Sequence, residues 1–330
     1  MPHLIITYGP AGSGKGHLYP NYTRLLSTCY SSMKPITQDN TFVAEIDQYV
    51  ENDPDYKNAV FRIICDFFKT CKTELTSSSS SEVNLGAYIR QVVSDFENTD
   101  QCSAFELSKN LTDAYRYTRR KYDNILTAKI AQAVKDNQNI IFETTGQNAG
   151  PLNWLWHCGR DSENWSGPFC VAPNYVKTII YPYVDPERIL QQARDRFVRR
   201  VVGWYTCLKE CRVHLKKGEF AEFPTCLAKG TDTPVPRLPN IKELRELIPV
   251  AQRNIIPYID NKQIENIIIY NNLEGDTDPM RFNIQSSGFR TSTDEQNRKL
   301  EFLMKNGDML VPELRNRLMQ GLQDLAPVSL

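Results

Sequence analysis

Apolar and polar positions along this chain alternate between short β-branched runs and longer segments of helical period. Five runs read as strands: Leu4–Tyr8, Thr41–Ile46, Asn139–Phe142, Tyr175–Tyr181 and Glu265–Tyr270. Helical patterns separate them, and that alternation predicts an α/β fold with a five-stranded, mainly parallel sheet flanked by helices. The clearest helix covers about Leu111 to Asn137, where Leu111, Tyr115, Tyr122, Leu126, Ile130 and Val134 recur at three-to-four-residue spacing. It lies in a long insertion between the second and third strands, together with a polar stretch from Thr76 to Glu82 that reads as a surface loop.

After Asn272 the pattern changes. Asp276 to Arg290 reads as polar and irregular, and Thr293-x-x-Gln296 then opens a helix that ends at Lys305-Asn306-Gly307. A last helix has Pro312 near its start and Leu314, Leu318, Leu322 and Leu325 on one face. Such a stripe either packs on its own domain or offers a surface to a partner. The expected organisation is a domain over 1–273, with a helical substrate-side insertion at 57–138 and a lid region at 187–240. A C-terminal helical extension over 274–330 follows it.

The chemistry starts where the first strand ends. Gly9-Pro10-Ala11-Gly12-Ser13-Gly14-Lys15 is a Gly-x4-Gly-Lys loop between a strand and a helix, the Walker A pattern. Its glycines let successive backbone N–H groups turn inward around a phosphate chain, and the helix N-terminus adds partial positive charge. Lys15 is positioned to reach the β- and γ-phosphates, so the segment predicts binding of ATP or GTP. Gly16 and His17 follow the lysine, where a Ser or Thr hydroxyl commonly meets Mg²⁺. The metal is then expected to rely on phosphate oxygens, water and a carboxylate, with Glu143 reached through a water.

Two strand ends supply candidate acids. Groups at the carboxyl ends of parallel strands project into the ligand crevice. Alternation along the second run puts Glu45 and Asp47 on one face, and Asp47 is the candidate base for a substrate hydroxyl. The third strand runs into Glu143-Thr144-Thr145-Gly146, an acid for the metal-bound water and two hydroxyls for phosphate, substrate or a helix cap. Past the fourth strand, Asp185-Pro186-Glu187 opens a helix whose apolar side is Ile189, Leu190, Ala193, Phe197 and Val201. Arg196 and Arg200 share the opposite side, where planar guanidinium groups suit a phosphate-clamping lid or a solvated basic face.

The order of these motifs resembles the zeta-toxin-like family of P-loop kinases over about Met1 to Asn272. The resemblance is carried by Asp47-Gln48-Tyr49-Val50-Glu51-Asn52-Asp53-Pro54-Asp55-Tyr56, by Asn139 through Thr145, and by Tyr183 to Glu187 with the arginine helix. It implies a P-loop NTPase fold, Lys15 on phosphate and Asp47 as base. It further implies Glu143 and Thr145 at the reaction centre and Arg196 and Arg200 in a lid. The chain departs from the family at Gly16, at Val50 and at Thr127, where the toxins carry a hydroxyl, a basic residue and an acid. Fold and kinase chemistry are therefore expected to carry over further than the sugar-nucleotide substrate.

Composition narrows the classes. The 330 residues carry 39 Lys+Arg against 39 Asp+Glu, so no global basic field points to nucleic acid or a membrane surface. Nine cysteines without framework spacing, and no secretion signal or membrane-length apolar run, predict a cytoplasmic protein. Cys207, Cys211, His214 and Cys226 form a loose candidate zinc set in the enlarged lid, and Pro236-Arg237 and Arg253 are further lid or nucleotide candidates. The leading expectation is an ATP/GTP- and Mg²⁺-dependent kinase acting on a hydroxyl of a small metabolite, sugar nucleotide or nucleoside. Two alternatives stand beside it. One is a polynucleotide 5′-hydroxyl kinase, for which Tyr115 to Tyr122 would supply a basic, aromatic strand-binding face. The other is a non-catalytic nucleotide-binding structural or assembly protein.

Overall fold

β1 (His3–Tyr8) is buried at every position, and β3 (Asn139–Thr144) is buried until its last two residues. That pattern belongs to strands covered on both sides in a parallel sheet. The computed structural model describes residues 2–9, 15, 36–70, 102–146, 175–183, 185–216, 241–260, 264–271, 280–283, 293–305 and 310–323. With β2 (Thr41–Ala44), β4 (Val176–Tyr183), β5 (Asn266–Asn271) and β6 (Met280–Asn283), the sheet has the order β2-β3-β1-β4-β5-β6. Strands β1 to β5 pair in parallel, as the sequence predicts.

Strand β1 sends its connection toward β2 on one side, and β4 sends its own toward β5 on the other. The carboxyl ends of the central strands therefore form a topological switch point, where open parallel sheets bind ligands.

Two readings need correction. β6 lies inside the segment read as irregular and pairs antiparallel with β5, with Phe282 buried. Four residues flanked by polar sequence give too short an alternation to register. The second run stops at Ala44. Glu45 is the extended N-cap of α1 (Ile46–Asn52), so Asp47 sits in a helix's first turn and the shared strand face of Glu45 and Asp47 does not exist. A carboxylate in a first turn is favoured by the helix dipole.

The other helices are α2 (Pro54–Thr70), α3 (Cys102–Lys135), α4 (Pro186–Lys216), α5 (Ile241–Arg253), α6 (Ile256–Asp260), α7 (Thr293–Lys305) and α8 (Pro312–Gln323). α3 begins before the predicted Leu111 and ends in a left-handed Asn137 (φ 53°), with Gln138 N–H donating to the Ala133 carbonyl at 3.0 Å. That closure satisfies carbonyls left open at a helix end. The serine-rich stretch lies outside the described residues.

The chain divides into two compact units. One comprises Met1–Ala44, Thr127–Ile189 and Leu244–Leu330, and the other Glu45–Leu126 and Leu190–Glu243. In the first, Leu4, Ile5, Ile6, Ile140, Ile179, Ile180 and Ile268 form the sheet core. Leu314, Leu318 and Leu322 of α8 are also buried there, so the described part of the leucine stripe packs on its own unit. The Gln296 amide donates to the Leu322 carbonyl at 2.5 Å, which ties α7 to the end of α8. Among the described residues no helix is long and apolar enough to cross a membrane.

His3 opens β1 and is 6% exposed, while its backbone N–H donates to the Asn139 side chain at 3.0 Å. Burial lowers its imidazole from 6.5 to about 4. Below pH 6.5 the unfolded chain takes up a proton that the folded strand refuses, so stability declines as pH falls and this decline ends near pH 4. His3→Gln keeps the backbone bond and should flatten that slope by up to about 3 kcal/mol, at roughly 1.4 kcal/mol per pH unit. Urea unfolding of both proteins from pH 7 to 4 checks it, with parallel pH profiles as the contrary result.

Candidate active site

In the first unit, parallel pairing aligns Thr7 with Glu143 and Tyr8 with Thr144, so the exits of β1 and β3 lie side by side. Gly9 turns out of β1 at φ 151°, a backbone state that side chains disfavour, and its N–H donates to the Thr144 carbonyl at 3.2 Å. Lys15 returns to this point. It is 6% exposed, and its Nζ donates to the Gly9 carbonyl at 2.7 Å and lies 3.6 Å from Glu143 Oε1. A lysine is rarely this buried without anionic or carbonyl oxygens around it, because removing an ammonium from water is costly. The Glu143 side chain, 35% exposed, stays within reach of solvent.

Past Glu143 the chain makes a tight turn. The Thr144 hydroxyl accepts from Gly146 N–H at 3.3 Å, which uses Thr144 in the turn and not as the cap of a described helix. Gly146 has φ +74°, and a Cβ there would meet the Tyr8 ring at 2.4 Å. Its carbonyl accepts from Tyr8 OH at 3.1 Å and from the Asn254 amide at 2.9 Å. Burial pushes the Tyr8 hydroxyl well above its ordinary range, with the Tyr258 and Tyr181 hydroxyls adding to it, so it stays a neutral donor. Sequence reading missed Tyr8 and Asn254. No local signal links either residue to a glycine more than a hundred positions away.

The second unit holds the acidic and arginine candidates. Asp47, partly exposed, accepts at Oδ1 from the Tyr115 hydroxyl of α3. Glu45 Oε2 accepts from the Gln48 amide at 2.6 Å. One turn after Asp47, Glu51 pairs with Arg200 at 3.6 Å, with side chains 21% and 19% exposed. Arg196 lies one turn before Arg200 on α4 and is partly exposed. Ile189, Leu190, Ala193 and Phe197 are buried as predicted, and the Val201 side chain lies outside the description.

Asp53, missed as a key residue, is 1% exposed. It accepts from Asp55 N–H at 2.8 Å and Tyr56 N–H at 3.0 Å, which caps α2, with Pro54 at its first position. Lys121 Nζ and Tyr122 OH each reach its other oxygen at 2.7 Å. Burial works against its charge, but hydrogen bonds from Lys121, Tyr122 and Tyr56 outweigh it and hold the carboxyl down at about 2. Much of the basic, aromatic Tyr115 to Tyr122 cluster is thereby engaged inside the unit. Tyr115 holds Asp47, Tyr122 and Lys121 hold Asp53, and Arg119 lies 3.5 Å from Asp123. Tyr117, 81% exposed, is the aromatic of this stretch that faces solvent.

Pro10, Ala11, Gly12, Ser13, Gly14, Gly16 and His17 lie outside the described residues, as do Cys226, Pro236 and Arg237. Cys207, Cys211 and His214 fall on α4, but their side chains lie outside the description. Among the described residues no group of three His, Cys, Asp or Glu side chains could hold a metal ion. Arg253 pairs with Glu313 of α8 at 3.5 Å. The donors at the β1 and β3 exits suit a nucleoside triphosphate with Mg²⁺: an ammonium for phosphate oxygens, and a hard carboxylate for water around the metal.

No family model and no curated protein matches the chain. A solved structure from work on the PezAT chromosomal toxin–antitoxin system of the human pathogen Streptococcus pneumoniae is similar to it. The match covers 97% of this chain and 87% of that one, at 12% identity and a TM-score of 0.36. At this TM-score the match carries no residue role across.

Gly146→Ala should cost about 2 kcal/mol or more, because it adds both left-handed strain and a clash with the Tyr8 ring. Denaturant unfolding measures this, and a loss of a few tenths would mean that the turn relaxes freely.

Proposed function

We propose that the chain is a nucleoside-triphosphate-dependent P-loop phosphotransferase acting on the hydroxyl of a small metabolite, sugar nucleotide or nucleoside. The observation that carries this is Lys15, which returns from a Gly-x4-Gly-Lys loop to lie buried between the Gly9 carbonyl and the Glu143 carboxylate. In this reading Lys15 exchanges the carbonyl for β- and γ-phosphate oxygens. Glu143 would hold water around Mg²⁺, which would draw charge from the phosphate chain, and Thr145 lines the reaction centre. Asp47 takes the proton of the acceptor hydroxyl as that oxygen bonds to the γ-phosphorus. The bond from phosphorus to the bridging oxygen breaks, and the electron pair leaves with the nucleoside diphosphate. Arg196 and Arg200 spread the developing charge, with Arg200 leaving its contact with Glu51 to do so.

The rings of Tyr115 and Tyr122 pack on Tyr56 and Tyr49 inside the unit, which leaves Tyr117 as the open aromatic of the stretch and favours a small acceptor over a polynucleotide, since a strand needs several aromatic faces open for stacking. Acceptor and purine can be found by incubating the protein with labelled ATP or GTP and a metabolite extract, then detecting new phosphate esters by mass. Lys15→Ala should weaken triphosphate binding by about tenfold or more while leaving the circular dichroism spectrum unchanged, because it removes a charged hydrogen-bond donor. Calorimetric titration decides that, and parental affinity would remove the basis of the reading. Asp47→Asn should keep nucleotide affinity and lose about a hundredfold or more in turnover. Undiminished turnover there would hand the base role to Glu45 or Glu143.

A further inference from the structure

Helix α1 has only seven residues, too few to be stable alone in water. Side chains at alternate positions fix it. Asp47 accepts from Tyr115, Tyr49 stacks on Tyr122 (centroids 5.8 Å apart, 30° between planes), Glu51 pairs with Arg200, and Asp53 just beyond its end is held by Lys121 and Tyr122. Tyr115 and Tyr122 are two turns apart on one stripe of α3, so a single long helix holds both ends of the short one. The two contacts differ in what they hold. Tyr122 meets a buried carboxylate occupied in capping α2, whereas Tyr115 meets a partly exposed carboxylate in the first turn of α1.

We propose that Tyr115 is the positioning residue of Asp47: its hydroxyl fixes Oδ1, and with it the plane of the carboxyl group that takes the acceptor's proton at Oδ2. This rests on the base role given to Asp47 above. The Tyr115 ring is itself held edge-on to the fully buried Tyr56, with centroids 6.2 Å apart and 68° between planes. The hydroxyl therefore projects from a fixed frame, and Tyr115→Phe removes the donor while keeping the ring and its packing. Loss of that bond removes the constraint that α3 places on Oδ1, and small misplacements of reacting groups are costly in rate.

The test compares parent, Asp47→Asn, Tyr115→Phe and Tyr122→Phe as full-length chains. The probes are labelled ATP and an acceptor panel of nucleosides, hexoses and a nucleotide sugar. Tyr115→Phe should lower kcat by about tenfold to a hundredfold, while acceptor KM and ATP affinity change less than about twofold. Tyr122→Phe removes the same kind of bond from Asp53 and should lower the denaturation midpoint while leaving kcat near parental. Parental kcat in Tyr115→Phe beside a dead Asp47→Asn overturns the positioning role and leaves the kinase reading intact. Equal losses of kcat in both tyrosine variants make the effect a general loosening of the unit and overturn it as well. No turnover in the parent, or parental turnover in Asp47→Asn, overturns the base role and this inference together.

Discussion

The in-register parallel pairing of β1 with β3 governs the first unit. Once Leu4 faces Ile140 and Tyr8 faces Thr144, the Gly9 N–H meets the Thr144 carbonyl, and Glu143 stands beside the place to which Lys15 returns. A slip of one residue would reverse every side chain of β1 and turn Glu143 away from the lysine. The apolar run that buries β1 on both faces is thus also what brings the ammonium and the carboxylate together. Gly146 completes the arrangement: its missing side chain admits the Tyr8 ring, and its carbonyl takes that residue's hydroxyl and the Asn254 amide. Packing and chemistry share the same residues here.

The second unit solves a different problem, which is how to hold a short helix with a carboxylate in its first turn. Propensity cannot do it in seven residues, so the burden falls on long-range contacts from α3 and α4. The buried Asp53 is central because it serves two elements at once, capping α2 through backbone N–H groups and anchoring α3 through Lys121 and Tyr122. Loss of one partner would leave a desolvated charge, which costs far more than a surface contact is worth. The Glu51–Arg200 pair adds a constraint from α4, and it occupies the arginine assigned to the phosphate in the proposed function. An arginine already held by a carboxylate changes partner by exchange and has little solvation to lose, since both side chains are largely covered.

The segment around Asp47 to Tyr56 carries two kinds of meaning. Asp47 has a partly exposed carboxylate of the kind a base requires, whereas Asp53 and Tyr56 are almost completely buried and belong to the framework. A resemblance drawn from the whole segment therefore mixes an accessible carboxylate with residues that build its support. The same holds for the basic, aromatic stretch of α3. In sequence it looks like a surface for a strand, yet Tyr115, Lys121 and Tyr122 make contacts inside the unit.

By itself the sequence determined the α/β class, the five parallel strands and the Gly-x4-Gly-Lys loop after the first of them. All of these are local patterns: β-branched runs buried on both faces, helical periods, and glycines in a turn. It also placed the buried faces of α4 and α8, because a 3.6-residue period identifies a face without reference to what covers it. Only the tertiary structure decided which groups meet. Asn254 reaches Gly146 across 108 positions, Tyr115 reaches Asp47 across 68, and Glu51 takes Arg200 from another helix. It also ended β2 at Ala44 and made Asp47 a first-turn residue, where alternation alone had continued the strand. Periodicity records which side of an element is buried, whereas a hydrogen bond between distant side chains depends on how the backbone path returns.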